Sequence, residues 1–379
     1  MRIGVDYTSA ARQRAGIGRY TRELVAALLS LNQLHQYTIF AATGGLEGSD
    51  WRSEIDKEGA RFRSVPLSDD WMARLWHRLR LPIPVDIFTG PLDVFYSPDF
   101  ALPPTGRGTK TLLTVHDLSF VHHPEAFLPS LRRYLERTVS RSVKRADLVL
   151  ADSAHTRLDL ISVFGISSRA VEVVYPGVDS RFQAGASPGE VTRLHDRYGI
   201  VDRPYILSVG TLQPRKNYLH LMEGFLQLEE DLGSGLQLFV AGGQGWLYDD
   251  IVGEAARHEN VRLLGFVADE DLPALYRGAR LFALTSLYEG FGLPVLEAMA
   301  CGVPVVCSRT SSLPEVAGDA ALLVDPRDSD ELTEAMIRVL EEDELREEMV
   351  RRGLARAARF TWERSARKLL RLIDSVAGV

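Results

Sequence analysis

Short apolar strands alternate with amphipathic helices from one end of the chain to the other, and this alternation constrains the fold more than any other feature. RIGVDY, QYTIFAA, DVFYSPD, TLLTVHD, DLVLADS and VEVVYPG read as strands in the first half. PYILSVG, LQLFVAG, VRLLGFV, RLFALTS, VPVVCS and AALLVD read as strands in the second. Helical stretches lie between them. Gly18 to Ser30 places Tyr20, Leu24, Ala27 and Leu28 on one face, and Leu219–Leu228 and Asp330–Leu340 follow in the second half. Strands separated by helices build a parallel sheet covered on both faces. Two such series in 379 residues exceed one ordinary core, so two doubly wound α/β domains are expected. The stretch QAGASPGEVTRLHDRYGI, 183–200, starts rich in Gly, Ala, Ser and Pro and reads as a linker running into a helix. The expected domains are 1–182 and 183–360, followed by a helix beginning near Thr361 that has the option of packing back on the first domain. In such sheets ligands bind outside the carboxyl ends of the strands, which points to the cleft between two domains.

Composition removes several function classes. The net charge of −7 argues against a general nucleic-acid binder. The charge is uneven: residues 1–182 carry 23 Lys+Arg against 20 Asp+Glu, and the remainder 21 against 31. No apolar run approaches the length of a membrane span, and MRIGVDYTSA has no apolar signal core. The two cysteines, Cys301 and Cys307, flank one segment and form neither a disulfide framework nor a metal spacing. A reducing, cytoplasmic compartment is expected.

The chemistry concentrates in SLYEGFGLPVLEAMACGVPVV, Ser286 to Val306. A buried strand ends here, Gly290 and Gly292 allow a tight turn, and Pro294 suits the start of a helix. Backbone N–H groups at that start, Gly290, Phe291, Gly292 and Leu293, favour anions or hydroxyl oxygens. Glu289 sits before the turn and Glu297 one turn into the helix. Two carboxylates so spaced reach different parts of one elongated polar ligand, and each accepts hydroxyl hydrogen bonds from a diol. The plainer reading is a dipole preference of glutamate near a helix start. SVGTLQPRKN, Ser208–Asn217, follows another strand and brings Gly210, Arg215 and Lys216 to the same kind of edge. Cations there suit a diphosphate leaving group, whose charge grows in the transition state. A solvated helix start would also place them so.

The segment with Glu289 and Glu297 resembles the E-x7-E signature of the retaining glycosyltransferases of family 4, and the resemblance covers nearly the whole chain. It implies the GT-B fold: α/β, two facing Rossmann-like domains with a cleft between them. It implies that the first domain binds the acceptor and the second the nucleotide-sugar donor. Lys216 matches the family lysine that grips the diphosphate. Many members also carry an arginine directly after Gly210, where this chain has Thr211, so the second cation is Arg215 or comes from elsewhere. Glu289 would orient donor-sugar hydroxyls and Glu297 would hold the ribose. In ARQRAGIGRYTREL, Gly16 and Gly18 form a turn which in the family closes over the donor phosphates. His116, in TVHDLSF, matches a family histidine near the donor sugar, with structural packing as its other reading. GGQGW, with Gly243, and the segment from Gly265, with Phe266 and Val267, resemble the loops near the nucleotide and its base.

The resemblance implies retention by front-face attack, with catalytic roles for His116, Lys216, Arg215 and Glu289. No DxD-type metal site is convincing, so no metal and no cofactor is expected. The start IGVDYTSAARQRAGIGRYTREL and VGTLQPRKN most resemble the bacterial mannosyltransferase branch, which implies GDP-mannose as donor. UDP-glucose and UDP-N-acetylglucosamine are the alternatives. The acceptor is expected to be a saccharide or a lipid-linked saccharide. Two basic stretches, Trp71–Pro82 and Leu131–Arg145, suit either a solvated helix or peripheral contact with the inner membrane surface. Rival readings are a sugar-nucleotide epimerase and a non-catalytic homologue. A dehydrogenase is disfavoured because the glycine fingerprint fails at Thr21.

Overall fold

The structure is a computed structural model and describes residues 1–13, 16–31, 34–46, 51–52, 55, 59–185, 189–200, 204–233 and 235–378. It divides into two compact units. The first comprises Met1–Leu118, Ser130–Gly177 and Thr361–Val379; the second comprises Ser119–Pro129 and Val178–Phe360.

The first unit holds β1 (Arg2–Asp6), β2 (Gln36–Ala42), β3 (Arg61–Val65), β4 (Val94–Ser97), β5 (Lys110–Val115), β6 (Leu148–Ala151) and β7 (Val171–Val173). They form one parallel sheet in the order β3-β2-β1-β4-β5-β6-β7. β4 and β6 are buried along their whole length, which is why they read as continuous apolar runs rather than alternating ones. β3 is an edge strand with Arg61, Arg63 and Ser64 exposed, so its sequence RFRSV carries no apolar signal, and it was not expected. The helix Ile17–Leu31 buries Leu24, Val25 and Leu28 against Ile3 and Val5. Ala366, Leu369 and Ile373 of the C-terminal helix Trp362–Ala377 join that same core. Thr361 caps this helix by accepting a hydrogen bond from Arg364 N at 3.3 Å.

The second unit holds β8 (Tyr205–Val209), β9 (Gln237–Ala241), β10 (Val261–Gly265), β11 (Leu281–Leu284), β12 (Val305–Ser308) and β13 (Ala321–Val324). These too are parallel, in the order β10-β9-β8-β11-β12-β13. Alternate residues feed two cores, one on each face. Ile206, Leu238, Val240 and Ala283 pack with Leu221, Phe225 and Met336. Leu207, Phe239, Phe282 and Leu284 pack with Leu275, Leu296 and Met299. Cys301 and Cys307 are free and buried.

Parallel pairing sends every carboxyl end of a sheet to the same edge. Strand order reverses between β1 and β4 in the first unit and between β8 and β11 in the second. At such a reversal the neighbouring loops run to opposite faces and leave a crevice.

Candidate functional site

In the second unit the loops after β8 and β11 flank that crevice and are tied together. Leu287 N donates to Arg215 O at 2.9 Å. Asn217 Nδ2 donates to Thr285 O at 3.2 Å and to Pro326 O at 2.6 Å, and Thr285 Oγ1 returns a bond to Asn217 O at 3.2 Å. Pro214–Lys216 is one turn of 3₁₀ helix, and Asn217 at φ 58° starts the helix Tyr218–Leu232. Short polar Asn tolerates this left-handed geometry. The turn buries both cations, leaving Arg215 9% and Lys216 7% exposed. Gly210 makes room for Lys216, because a Cβ there would stand 3.0 Å from Lys216 Cε and from the Tyr218 hydroxyl.

Glu289 receives both cations. Lys216 Nζ lies 2.6 Å from its Oε1 and Arg215 3.0 Å from its Oε2. The Ser286 hydroxyl adds a bond to Oε1 at 2.5 Å. Burial works against the charge on Glu289. The Lys216 and Arg215 charges, with the bonds from Lys216 and Ser286, outweigh it and bring the pKa down to about 2. Glu289 is therefore a carboxylate throughout the neutral range and cannot serve as a general acid there.

The Glu289 backbone is equally fixed. Its N–H donates to Ser311 Oγ at 2.8 Å, and the Ser312 hydroxyl donates to the carbonyls of Glu289 at 2.9 Å and Phe291 at 2.8 Å. The Arg215 guanidinium also donates to Tyr288 O. Gly292, at φ 106°, caps the helix Leu293–Ala300, a conformation only glycine adopts readily. Glu297, 2% exposed, accepts a bond from the fully buried Tyr276 hydroxyl at 2.9 Å.

The other second-unit candidates share this edge. Gly243 follows β9, and its carbonyl accepts from Leu212 N at 2.9 Å. Phe266 and Val267 follow β10; Phe266 is 46% exposed and Val267 is buried. Phe291 and Leu293 belong to the Glu289 turn. The structure thus brings together Gly210, Arg215, Lys216 and Glu289, with Gly290 to Leu293 and Glu297 continuing from them.

Gly16, Gly18 and His116 belong to the first unit. Gly16 precedes the helix Ile17–Leu31 and Gly18 lies in its first turn, while Arg14 and Ala15 of the same loop lie outside the described residues. His116 follows β5 and is buried. Its Nδ1 lies 2.7 Å from Asp152 Oδ2 and its Nε2 2.9 Å from Pro98 O. The Pro98 carbonyl accepts, and Asp152 accepts when ionised, so, although burial pushes the Asp152 carboxyl up, the arrangement favours a doubly protonated ring. Burial opposes that charge, but Asp152, Asp99 and the Pro98 carbonyl outweigh it and raise the pKa to about 9. Tyr20 and Phe100 meet the ring edge-on at 4.8 and 5.3 Å. A ligand hydrogen bond to either nitrogen would have to displace one of these partners.

Sequence reasoning missed Ser286, Ser311, Ser312 and Tyr276, which hold the two glutamates, and Asp152, which holds His116. Their signal is faint. The serine pair before Leu313 and Pro314 reads as an ordinary helix start, and Asp152 reads as the usual polar residue after a buried strand. Among the described residues, no group of three or more His, Cys, Asp or Glu is placed to hold a metal.

Residues 14–182 match the family Glycosyltransferase Family 4, and residues 191–356 match the family Glycosyl transferases group 1. The chain is 35% identical to the O-antigen chain mannosyltransferase B of Escherichia coli, over 92% of this chain and 93% of that protein. It is 30% identical to the serotype-specific mannosyltransferase WbdA of Escherichia coli, over 70% of this chain and 33% of that protein. In fold it is similar to Anabaena Alr3699/HepE, solved in complex with UDP and glucose, with a TM-score of 0.74 at 19% identity over 99% of each chain.

The doubly protonated His116 makes a measurable prediction. Its folded pKa lies above the ordinary 6.5, so its contribution to stability is complete below about pH 6.5 and is lost as pH rises through about 9. Proton NMR should show the His116 imidazole titrating near pH 9, and Asp152→Asn should bring the midpoint down by at least one unit. Titration near 6.5 in the wild type would refute the doubly protonated ring.

Proposed function

The chain belongs to the family 4 glycosyltransferases, with the GT-B fold, and from that premise we propose that it transfers mannose from GDP-mannose to a hydroxyl of a saccharide or lipid-linked saccharide, with retention of configuration, in cell-surface glycan synthesis. The sugar assignment is supported by likeness along almost the whole chain to a relative named as a mannosyltransferase. The single observation that carries the chemistry is the buried cluster of Arg215, Lys216 and Glu289.

In this reading the donor diphosphate takes its place beside Lys216 and Arg215. Charge builds on the leaving phosphate as the glycosidic bond breaks, and fixed cations in a water-poor site stabilise it most at the transition state. Glu289 orients the sugar hydroxyls. Its Oε1 already accepts two hydrogen bonds, from Lys216 and Ser286, whereas Oε2 accepts one from Arg215 and retains capacity for a hydroxyl. A carboxylate held this way is a poor attacking nucleophile, which favours front-face transfer: the acceptor hydroxyl attacks on the leaving-group side and the departing phosphate takes its proton. Glu297 holds the ribose, and the backbone near Phe266 and Val267 meets the base.

The proposal extends to a membrane surface. Among the described residues no helix is long and apolar enough to cross a membrane. Trp71, Leu79 and Ile87 are nonetheless 53%, 65% and 68% exposed in one segment with Arg74, Arg78 and Arg80. Apolar side chains framed by arginines suit an anionic lipid interface. Vesicles containing anionic lipid should co-sediment the protein at low salt and release it at high salt. Failure to co-sediment at low salt removes this extension.

The donor is tested by thermal shift with GDP-mannose, UDP-glucose, UDP-N-acetylglucosamine, GDP, UDP, ADP and NAD, each with and without EDTA. A ligand at about 100 times its dissociation constant adds roughly 2.7 kcal/mol, a shift of several degrees. GDP-mannose should give the selective shift and EDTA should leave it unchanged. A shift confined to another nucleotide sugar discards mannose and keeps the transfer. Separately, Lys216→Ala should lower turnover by about two orders of magnitude or more while the protein stays folded. Near-normal turnover would take the leaving-group role away from Lys216.

A further inference from the structure

The helix Glu190–Tyr198 belongs to the stretch that reads in sequence as a linker, yet charged side chains bind it into the second unit at both ends. Asp271, fully buried, is the main anchor. Its Oδ1 accepts from Arg193 Nε at 2.6 Å, and its Oδ2 accepts from Arg197 at 2.7 Å and from the Tyr198 hydroxyl at 2.9 Å. Burial opposes the charge on Asp271, but Arg197, Tyr198 and Arg193 outweigh it and lower the pKa, so the group is a carboxylate at neutral pH. Arg262, on β10, donates to the carbonyls of Tyr198 at 2.6 Å and Gly199 at 2.8 Å and so satisfies the C-terminal end of the helix. At the other end the buried Glu190 pairs with Arg277 of the helix Leu272–Gly278. A fully satisfied buried network of this kind imposes one geometry, which a plain connection between units does not require.

The geometry it imposes is that of the backbone after β10. The Tyr198 hydroxyl also accepts from Ala268 N at 3.2 Å. Its direction is forced. The hydroxyl has one hydrogen and the Asp271 carboxylate only accepts, so the hydrogen points to Asp271 and a lone pair faces the Ala268 N–H. Gly265, at the end of β10, is held as well, its carbonyl accepting from Gly242 N at 2.8 Å. Phe266 and Val267 alone lie between these two anchored points. Val267 is buried in the same core as Leu194 of the helix, and the Tyr198 ring packs against that core. The Phe266 side chain is half-exposed. This two-residue span thus has both ends fixed, and one end is fixed by a single phenol hydroxyl.

We propose that Tyr198 is a positioning residue for recognition of the donor base, and that the helix Glu190–Tyr198 is part of the donor site. The proposal rests on the reading in which the backbone near Phe266 and Val267 meets the base. Tyr198 acts through Ala268 N and needs no contact with the donor. A diphosphate held by Lys216 and Arg215 does not depend on this span, so the effect of Tyr198 is confined to ligands that carry a base.

Tyr198→Phe tests this, because it keeps the ring in the core and removes only the oxygen that joins Asp271 to Ala268. Calorimetric titration of the full chain compares GDP with inorganic diphosphate. If another nucleotide sugar proves to be the donor, its own nucleotide replaces GDP. The nucleotide should bind the variant roughly fivefold to tenfold more weakly, and inorganic diphosphate should bind it as it binds the wild type. KM for the donor should rise by a similar factor while kcat stays within about twofold, as expected when uniform binding is lost. Hydrogen exchange at the Ala268 amide should quicken. Unchanged nucleotide affinity overturns the proposal. So does an equal loss for nucleotide and inorganic diphosphate, which marks a general disturbance of the unit. If the wild type binds inorganic diphosphate and no nucleotide, the reading of the span as the base contact fails and the proposal falls with it. If the wild type binds nucleotide and transfers sugar while Tyr198→Phe matches it in both, the transferase reading stands and the role of Tyr198 alone is lost.

Discussion

Both units depend on one constraint, the parallel pairing of every strand. A parallel strand cannot be joined to its neighbour by a tight turn, so the connections cross over the faces, most of them through a helix, and the irregular loops collect at one edge. That edge is where Gly210, Arg215, Lys216 and Glu289 meet in the second unit, and where Asp6, Asp99, His116 and Asp152 meet in the first. The cores of both units support these loops from beneath. Their apolar residues define a platform, and the candidate site residues sit at the strand ends and on the loops beyond them.

The platform carries opposite electrostatics in its two halves. In the second unit a buried carboxylate is matched by two buried cations, an arrangement whose desolvation cost is offset only by close, complete pairing. In the first unit the carboxylates outnumber the cations around an open space, and the charged His116 is held by Asp152 to one side. In the proposed function, a diphosphate suits the half where lysine and arginine are gathered.

Much of this was legible in the sequence. Twelve strands could be read because apolar residues dominate them, fully buried in β4, β6, β9, β11 and β12 and only partly so in β7, β10 and β13. The thirteenth, β3, escaped because at the sheet edge Arg61, Arg63 and Ser64 stay in water and only Val65 is buried. Glu289 and Lys216 could be singled out as candidates, but not that they pair, because residues 73 positions apart meet only through the strand order. The same holds for His116 and Asp152, brought together by the adjacency of β5 and β6. The pairing of the Arg215 and Lys216 side chains with Glu289 also separates two readings open at the sequence level: these cations are buried partners of a carboxylate and not a solvated helix start.

The chain does not run through one unit and then the other. Ser119–Pro129 leaves the first half to group with the second unit, where His122 stacks on Tyr288 at 5.4 Å and Trp246 Nε1 donates to Ala126 O at 2.6 Å. Thr361–Val379 returns from the far end to the first. No single cut yields two complete pieces. A fragment ending at Gly177 lacks Leu369 and Ile373, which fill the space beside the helix Ile17–Leu31, and a fragment starting at Val178 lacks the rings that cover Tyr288 and Trp246. The architecture is modular in space and indivisible along the gene, so exchanging one unit between relatives requires four matched junctions instead of one.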